Sequence, residues 1–346
     1  MKNSSKGIVA CAGNIIYVCS LMLMVSSCSE KKVITEGSVW RDSDGRVINA
    51  HGGGFLYYDK LYYWYGECKA DSTYRLKKVS TWECYRSDAK GISCYSSADL
   101  INWKYEGIAL SPVSSDSSSD LHPSKVMERP KVIFNRKTGK FVMWIHIDSD
   151  DYTSARAGVA ISDKPTGPFN YLGSFKPDSG DSRDQTLFLD DDGRAYHIAS
   201  SEGNKTMYIS LLNDDYTKTT GIYTRNFINE SREAPAVFKR NGKYYIITSA
   251  CTGWDPNQAS YAEADSMLGK WTTIGNPCTG KDYDKTFYAQ STFVLKIEGS
   301  EEKYIAMFDR WNKTNLSDSR YIWLTVRFDK GRVEIPWTGK WMPVTE

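Results

Sequence analysis

The 346-residue sequence predicts an all-β fold, a five-bladed β-propeller built as a single domain. Five times a polar residue opens a short apolar run, at His51, Glu128, Asp184, Glu233 and Gln290, and a second strand-like segment follows. Successive openings lie 77, 56, 49 and 57 residues apart, roughly one four-stranded blade each. The runs alternate with period two and show no sustained helical periodicity, and 23 Tyr, 12 Phe and 11 Trp favour strands.

Residues 1–27 read as an export signal: Lys2 and Lys6 precede an apolar stretch from Ile15 to Val25. Val25-Ser26-Ser27-Cys28 resembles a bacterial lipobox, which makes Cys28 a lipidation site and residues 28–36 a tether, with the propeller over 37–346. The expected location is therefore outside the cytoplasm, as an outer-membrane or cell-surface lipoprotein or in the periplasm, with the lipid as the membrane contact.

Blades are expected over 46–110, 122–175, 180–225, 229–277 and 286–340. Each starts with an inner strand that ends in turn chemistry: Tyr58-Asp59-Lys60, Lys137-Thr138-Gly139, Asp191-Asp192-Gly193 and Arg240-Asn241-Gly242. An aromatic and β-branched second strand follows. A third strand then leads to an aromatic, as in Ile92–Leu100 to Trp103 and Gly158–Asp163 to Phe169. Insertions at Lys69–Glu83 and at the serine-rich Ser111–Asp120 interrupt the spacing and read as solvated loops, with a rim role open to a loop on the funnel side. Ring closure predicts that the segment around Trp40 pairs in the last blade near Trp337 or Trp341.

A formal charge of +2 without a basic run argues against nucleic acid as a partner. Outside the signal and Cys28, the cysteines are Cys68, Cys84, Cys94, Cys251 and Cys278. They offer no zinc spacing, and a disulfide fits best within Cys68–Cys94.

A propeller brings the five openings to one funnel mouth, and three of them are carboxylic acids, Glu128, Asp184 and Glu233. Burial and mutual repulsion would drive their pKa values apart, as glycoside hydrolysis requires. The plainer alternative for any one of them is an ion pair with adjacent Arg129, Arg183 or Arg232. Glu67, Tyr152, Thr252 and Trp254 suit a sugar pocket, with Trp254 or Trp64 as a stacking face. His51 is open to three readings: pocket lining, a structural cation held through water, or a core histidine. No cofactor is expected, a structural Ca2+ on the axis being left open, and a monomer is expected.

Ser182-Arg183-Asp184-Gln185-Thr186-Leu187-Phe188 and Arg232-Glu233-Ala234-Pro235 resemble glycoside hydrolase family 43, across about residues 45 to 340. The resemblance implies Glu233 as general acid and Asp184 as the carboxylate that orients and tunes it. It departs at Ala50-His51-Gly52-Gly53-Gly54, where the family places its base. That opening, with Tyr63-Trp64-Tyr65-Gly66-Glu67, Glu128-Arg129-Pro130-Lys131 and Ala289-Gln290-Ser291, is similar to the branch of exo-β-1,3-galactanases. There Glu128 and Gln290 would handle the attacking water. The implied activity is inverting release of galactose from β-1,3-galactan of plant arabinogalactan or its oligosaccharides. Alternatives are a β-galactofuranosidase, an α-L-arabinofuranosidase, or a propeller that binds glycan without cutting it.

Overall fold

The computed structural model describes residues 1–3, 7, 33–300 and 302–341, so Cys28 and most of the expected signal and tether lie outside the described residues. Alternating side chains give each strand an apolar face toward the neighbouring sheet, and between Val33 and the C-terminus the strands meander into five antiparallel sheets. The first blade is His51–Tyr58, Leu61–Arg75, Tyr85–Ser97 and Lys104–Leu110. The second is Val126–Asn135, Lys140–Asp148, Arg156–Ser162 and Asn170–Phe175. The third is Gln185–Leu189, Ala195–Ser201, Thr206–Leu212 and Thr219–Asn226, and the fourth Arg232–Arg240, Lys243–Ala250, Ser260–Ala264 and Thr272–Gly275. The fifth is Gln290–Lys296, Tyr304–Arg310, Arg320–Asp329 and Arg332–Pro336, with Cys278–Thr279 added in parallel outside it. Two hairpin turns have the left-handed residues that match strand twist: Asp59 and Lys60 (φ 47° and 66°), and Asn241 and Gly242 (φ 49° and 77°).

Closure differs in detail from the expectation. Ile34 and Thr35 pair with Trp341 and Lys340, and Glu36 Oε2 accepts the Trp323 N–H at 2.7 Å. Trp40 packs edge-on against Trp323 at 4.7 Å and joins no sheet, because its carbonyl accepts from Ile48 within a local turn. All four antiparallel strands of the fifth blade come from the C-terminal part of the chain. Trp64, offered above as a stacking face, is a core residue between Trp40, Phe55, Trp103 and Trp323. The five described cysteines are free thiols. Cys94 lies opposite Tyr65 and Cys68 opposite Gly91, so the strand register holds them several rungs apart.

Ca2+ wants six to eight oxygen ligands. Among the described groups near the inner strands, the buried amine of Lys131 donates to the Gly52 carbonyl at 2.9 Å and lies beside Arg129. Burial and the Arg129 charge push Lys131 down to about 7. No group of three acidic, His or Cys side chains fit to hold a metal occurs among the described residues.

Gly54 and Gly66 of the first blade are explained by close approach. A Cβ on Gly54 would lie 2.3 Å from Lys131 Cδ, and one on Gly66 would lie 2.1 to 2.4 Å from the Ala50 backbone. Backbone cannot yield as a side chain can, so Gly66→Ala should destabilise the protein by about 2 kcal/mol or more. A chemical-denaturation midpoint equal to that of the wild type would contradict this packing.

Candidate active site

Three of the inner strands share a backbone device at their start, and in two of them it turns the opening carboxylate into the cavity. In three blades the residue after the opening one is left-handed: Gly52 (φ 58°), Arg129 (φ 53°) and Ala234 (φ 54°). Pairing slips at the same places, between His51 and Gly54, Glu128 and Lys131, and Glu233 and Ala236. Such a bulge turns the preceding side chain out of the regular alternation. Glu128 and Glu233 are aimed in this way into one cavity of about 280 Å³, which Asp184 and Gln290 also line, near the lower end of small-ligand sites, about 300 Å³.

On one side of the cavity, Glu233 accepts from Gln290 Nε2 at 3.0 Å and from Asn204 Nδ2 at 3.3 Å. Burial, then the charge of Asp184, pushes Glu233 up to about 8, so the carboxyl stays protonated at neutral pH. Asp184 is ion-paired with Arg129 at 2.9 Å. The same guanidinium donates to Gln290 Oε1 at 2.5 Å and to the Ser291 carbonyl at 2.9 Å. Trp311 Nε1 donates to Gln290 Oε1 as well, at 2.9 Å, and Gln290 Nε2 reaches Ser249 Oγ at 2.9 Å. Because Arg129 and Trp311 can only donate, the amide has one acceptable orientation, with its oxygen toward them.

Across the cavity the electrostatics are reversed. Burial works against an ionised Glu128, but Lys69, His146 and Arg86 outweigh it and hold the carboxyl below the usual carboxylate range. Tyr152 Oη donates to Glu128 Oε1 at 2.8 Å. His146 Nδ1 lies 3.7 Å from Glu128 Oε2, and its Nε2 lies 3.1 Å from Asp148, a buried Glu128–His146–Asp148 row. Glu67 also reaches the cavity; its Oε1 accepts the Arg129 N–H at 2.9 Å and Oε2 faces Lys69 at 2.7 Å. Burial raises its carboxyl, with the Glu128 charge adding and Lys69 opposing.

Of the expected pocket residues, Tyr152, Glu67 and Trp254 line the cavity. Thr252 does not: its hydroxyl donates to the Asp255 carbonyl at 2.5 Å and is absorbed in the turn it starts. His51 is also out of the cavity. The Gly52 N–H is tied to Asp309 Oδ2 at 2.5 Å, and the imidazole, with no exposed surface, stacks on Tyr321 at 5.1 Å between the first and fifth blades. The ion-pair alternative is met in an unexpected way, since Arg129 pairs with Asp184 of the next blade rather than with adjacent Glu128. Arg183 donates to the Tyr152 carbonyl and Arg232 to Thr248.

Sequence reasoning missed Trp82, His146, Asn204, Cys251 and Trp311 as lining residues and Arg129 as their organiser. His146, two residues before Asp148 on a second strand, had a readable period-two signal. Trp82 and Trp311 lie in irregular segments and had none.

Residues 55–305 match the model of the family described as glycosyl hydrolases family 43. A solved family-43 β-1,3-galactosidase, in complex with galactodeoxynojirimycin, is 44% identical with a TM-score of 0.82, over 89% of this chain and 100% of that one. A second β-1,3-galactosidase of the family is 39% identical with a TM-score of 0.83; 90% of this chain spans 64% of its length. The exo-β-1,3-galactanase from Phanerochaete chrysosporium, with galactose, is 36% identical with a TM-score of 0.80, over 90% of this chain and 68% of that one. No curated protein sequence matches the chain. With a five-bladed propeller, a funnel-mouth cavity of opposed carboxyl groups and a family match over most of its length, the chain belongs to glycosyl hydrolase family 43.

Proposed function

We propose that this glycosidase is an exo-acting, inverting enzyme that releases galactose from β-1,3-galactan or its oligosaccharides, exported and anchored through Cys28. The observation that carries the reading is the opposed protonation of two carboxyl groups in one cavity, Glu233 kept neutral and Glu128 kept ionised. The likeness to β-1,3-galactosidases and exo-β-1,3-galactanases supports galactose as the sugar and β-1,3 as the linkage.

In this mechanism Glu233 protonates the leaving glycosidic oxygen, and Asp184 keeps that proton in place until substrate arrives. Glu128 faces the water that attacks from the opposite face, whereas Gln290, expected to share that task, spends its Nε2 on Glu233 and Ser249 and acts through the acid. Both lone pairs of the Gln290 oxygen are engaged by Arg129 and Trp311, so the amide acts as a fixed dipole and Glu128 is the anion that can accept a proton. The rim of Trp254 and Tyr152 supplies apolar surface for a pyranose ring.

Glu233→Gln should lower turnover of β-1,3-galactobiose by roughly 10²- to 10⁴-fold and that of an aryl β-galactoside with a good leaving group much less. Equal losses on both would remove Glu233 from the acid role. Because Glu233 must be protonated, kcat/KM should fall on the alkaline side near pH 8, and Asp184→Asn should move that limb to lower pH by removing the charge that raises it. The same upward shift makes Glu233 stabilising below its unfolded pKa of 4.5, a contribution lost as pH rises through about 8. Gln290→Ala should lower turnover by roughly 10²-fold or more, because it removes the amide that joins Arg129 to Glu233. An unaffected rate in Gln290→Ala would show that the acid needs no support from Gln290. Assay against pyranoside and furanoside substrates separates the galactanase from a furanosidase, and absence of turnover on all of them would indicate a glycan-binding propeller.

A further inference from the structure

The second and third strands of the first blade, Leu61–Arg75 and Tyr85–Ser97, run 15 and 13 residues, longer than any other strand among the described residues. Their shared tip, although mostly solvent-exposed, is tied to three other blades. Toward the second blade, Lys78 Nζ pairs with Asp150 at 2.8 Å and Arg86 donates to the Asp150 carbonyl at 2.7 Å. Toward the fifth, Thr73 Oγ1 accepts the Leu316 N–H at 2.9 Å. Toward the fourth, Trp254 Nε1 donates to the Tyr85 carbonyl at 3.1 Å. Lys313, between the last two blades' loops, bridges Glu83 Oε2 of the tip at 2.7 Å and Asp255 Oδ1 of the fourth blade at 2.9 Å.

At the centre of this span stands Trp82, which lines the cavity together with Glu128 and Glu233. Its ring lies 5.5 Å from Tyr152 of the second blade, and its Cε3 would be 3.2 Å from a Cβ on Gly253 of the fourth. Gly253 is left-handed (φ 63°) and has no side chain, so the two loops close on the indole without a gap. The second and fourth blades flank the third in the ring. A wall that touches both therefore leaves the sector over the third blade, where the four-residue turn from Glu202 to Lys205 carries Asn204 beside Glu233.

We propose that the tip of the first-blade hairpin, latched to the fourth blade by Lys313, is the element that limits this enzyme to chain ends: Trp82 closes the cavity beyond the terminal sugar, and the rest of the glycan leaves over the third blade. The inference rests on the β-1,3-galactan reading above and names the residues that make its cavity one-ended. Lys313 is a positioning residue, acting on substrate only through Glu83 and Trp82.

The test uses linear β-1,3-galactan and the same polymer after periodate oxidation and borohydride reduction. Internal 3-linked residues have no vicinal diol and survive that treatment, whereas the terminal rings are opened. Wild-type enzyme should release galactose from the intact polymer and nothing from the treated one. A variant in which residues 77–83 are replaced by an Asn-Gly turn should cut the treated polymer internally and give a ladder of oligosaccharides. If the wild type is active on intact galactan and the variant, active on an aryl β-galactoside, leaves the treated polymer uncut, the clasp is not what enforces chain-end action. A wild type inactive on intact galactan instead overturns the substrate reading. Lys313→Met opens the latch without a deletion and decides the matter if the shortened protein does not fold. Its KM for β-1,3-galactotriose should rise about fivefold or more with kcat within about twofold, and Lys313→Arg should restore the wild-type KM. An unchanged KM in Lys313→Met overturns the proposal.

Discussion

The guanidinium of Arg129 is the contact on which the rest of the site depends. It is buried, carried by the second blade, and bonded to Asp184 of the third and to Gln290 and Ser291 of the fifth, while the backbone N–H of Arg129 is held by Glu67 of the first. The Arg129 backbone carbonyl accepts from Gln185 Nε2 at 2.6 Å. A buried cation stripped of such partners is destabilising by several kcal/mol, about 3 to 5 when one partner is removed. The site therefore exists only when the ring is closed, and closing the ring without the site would leave a charge unsatisfied at its centre. Fold and active site are stabilised by the same bonds.

From that hub the two sides of the cavity diverge. Arg129 neutralises Asp184 only partly as seen from Glu233, where burial and the remaining repulsion keep a proton on the carboxyl. Opposite, Lys69, His146 and Arg86 surround Glu128 and strip its proton. Two chemically similar side chains are set to different tasks by the residues around them, with no group of unusual reactivity needed. Cys251 fits the same pattern: burial and the neighbouring Glu233 push its thiol up, so it lines the cavity as a small neutral group.

The ring of blades was legible because a meander of alternating strands repeats its hairpin grammar, and all five inner strands start within a few residues of the expected positions. The carboxylates were legible for the same reason, since repeat equivalence placed Glu128, Asp184 and Glu233 together. What the sequence hid was backbone and distance. Arg129 and Ala234 are left-handed without being glycine, so nothing in the chain announced the bulges that aim Glu128 and Glu233. His51 occupies the repeat position yet turns into the wedge between blades, held there by Tyr321 and Asp309 from some 260 residues away in the chain. Trp82 and Trp311 reach the cavity from irregular segments, where no period exists to read.

One cavity holds a neutral Glu233 opposite an ionised Glu128. Carbon-13 NMR titration of the glutamate carboxyl groups in the free protein, with Glu233→Gln and Glu128→Gln used to assign the signals, measures it directly. The account predicts that the Glu233 signal titrates near pH 8 while Glu128 titrates below its ordinary range. Both signals moving together in the ordinary carboxylate range would contradict it.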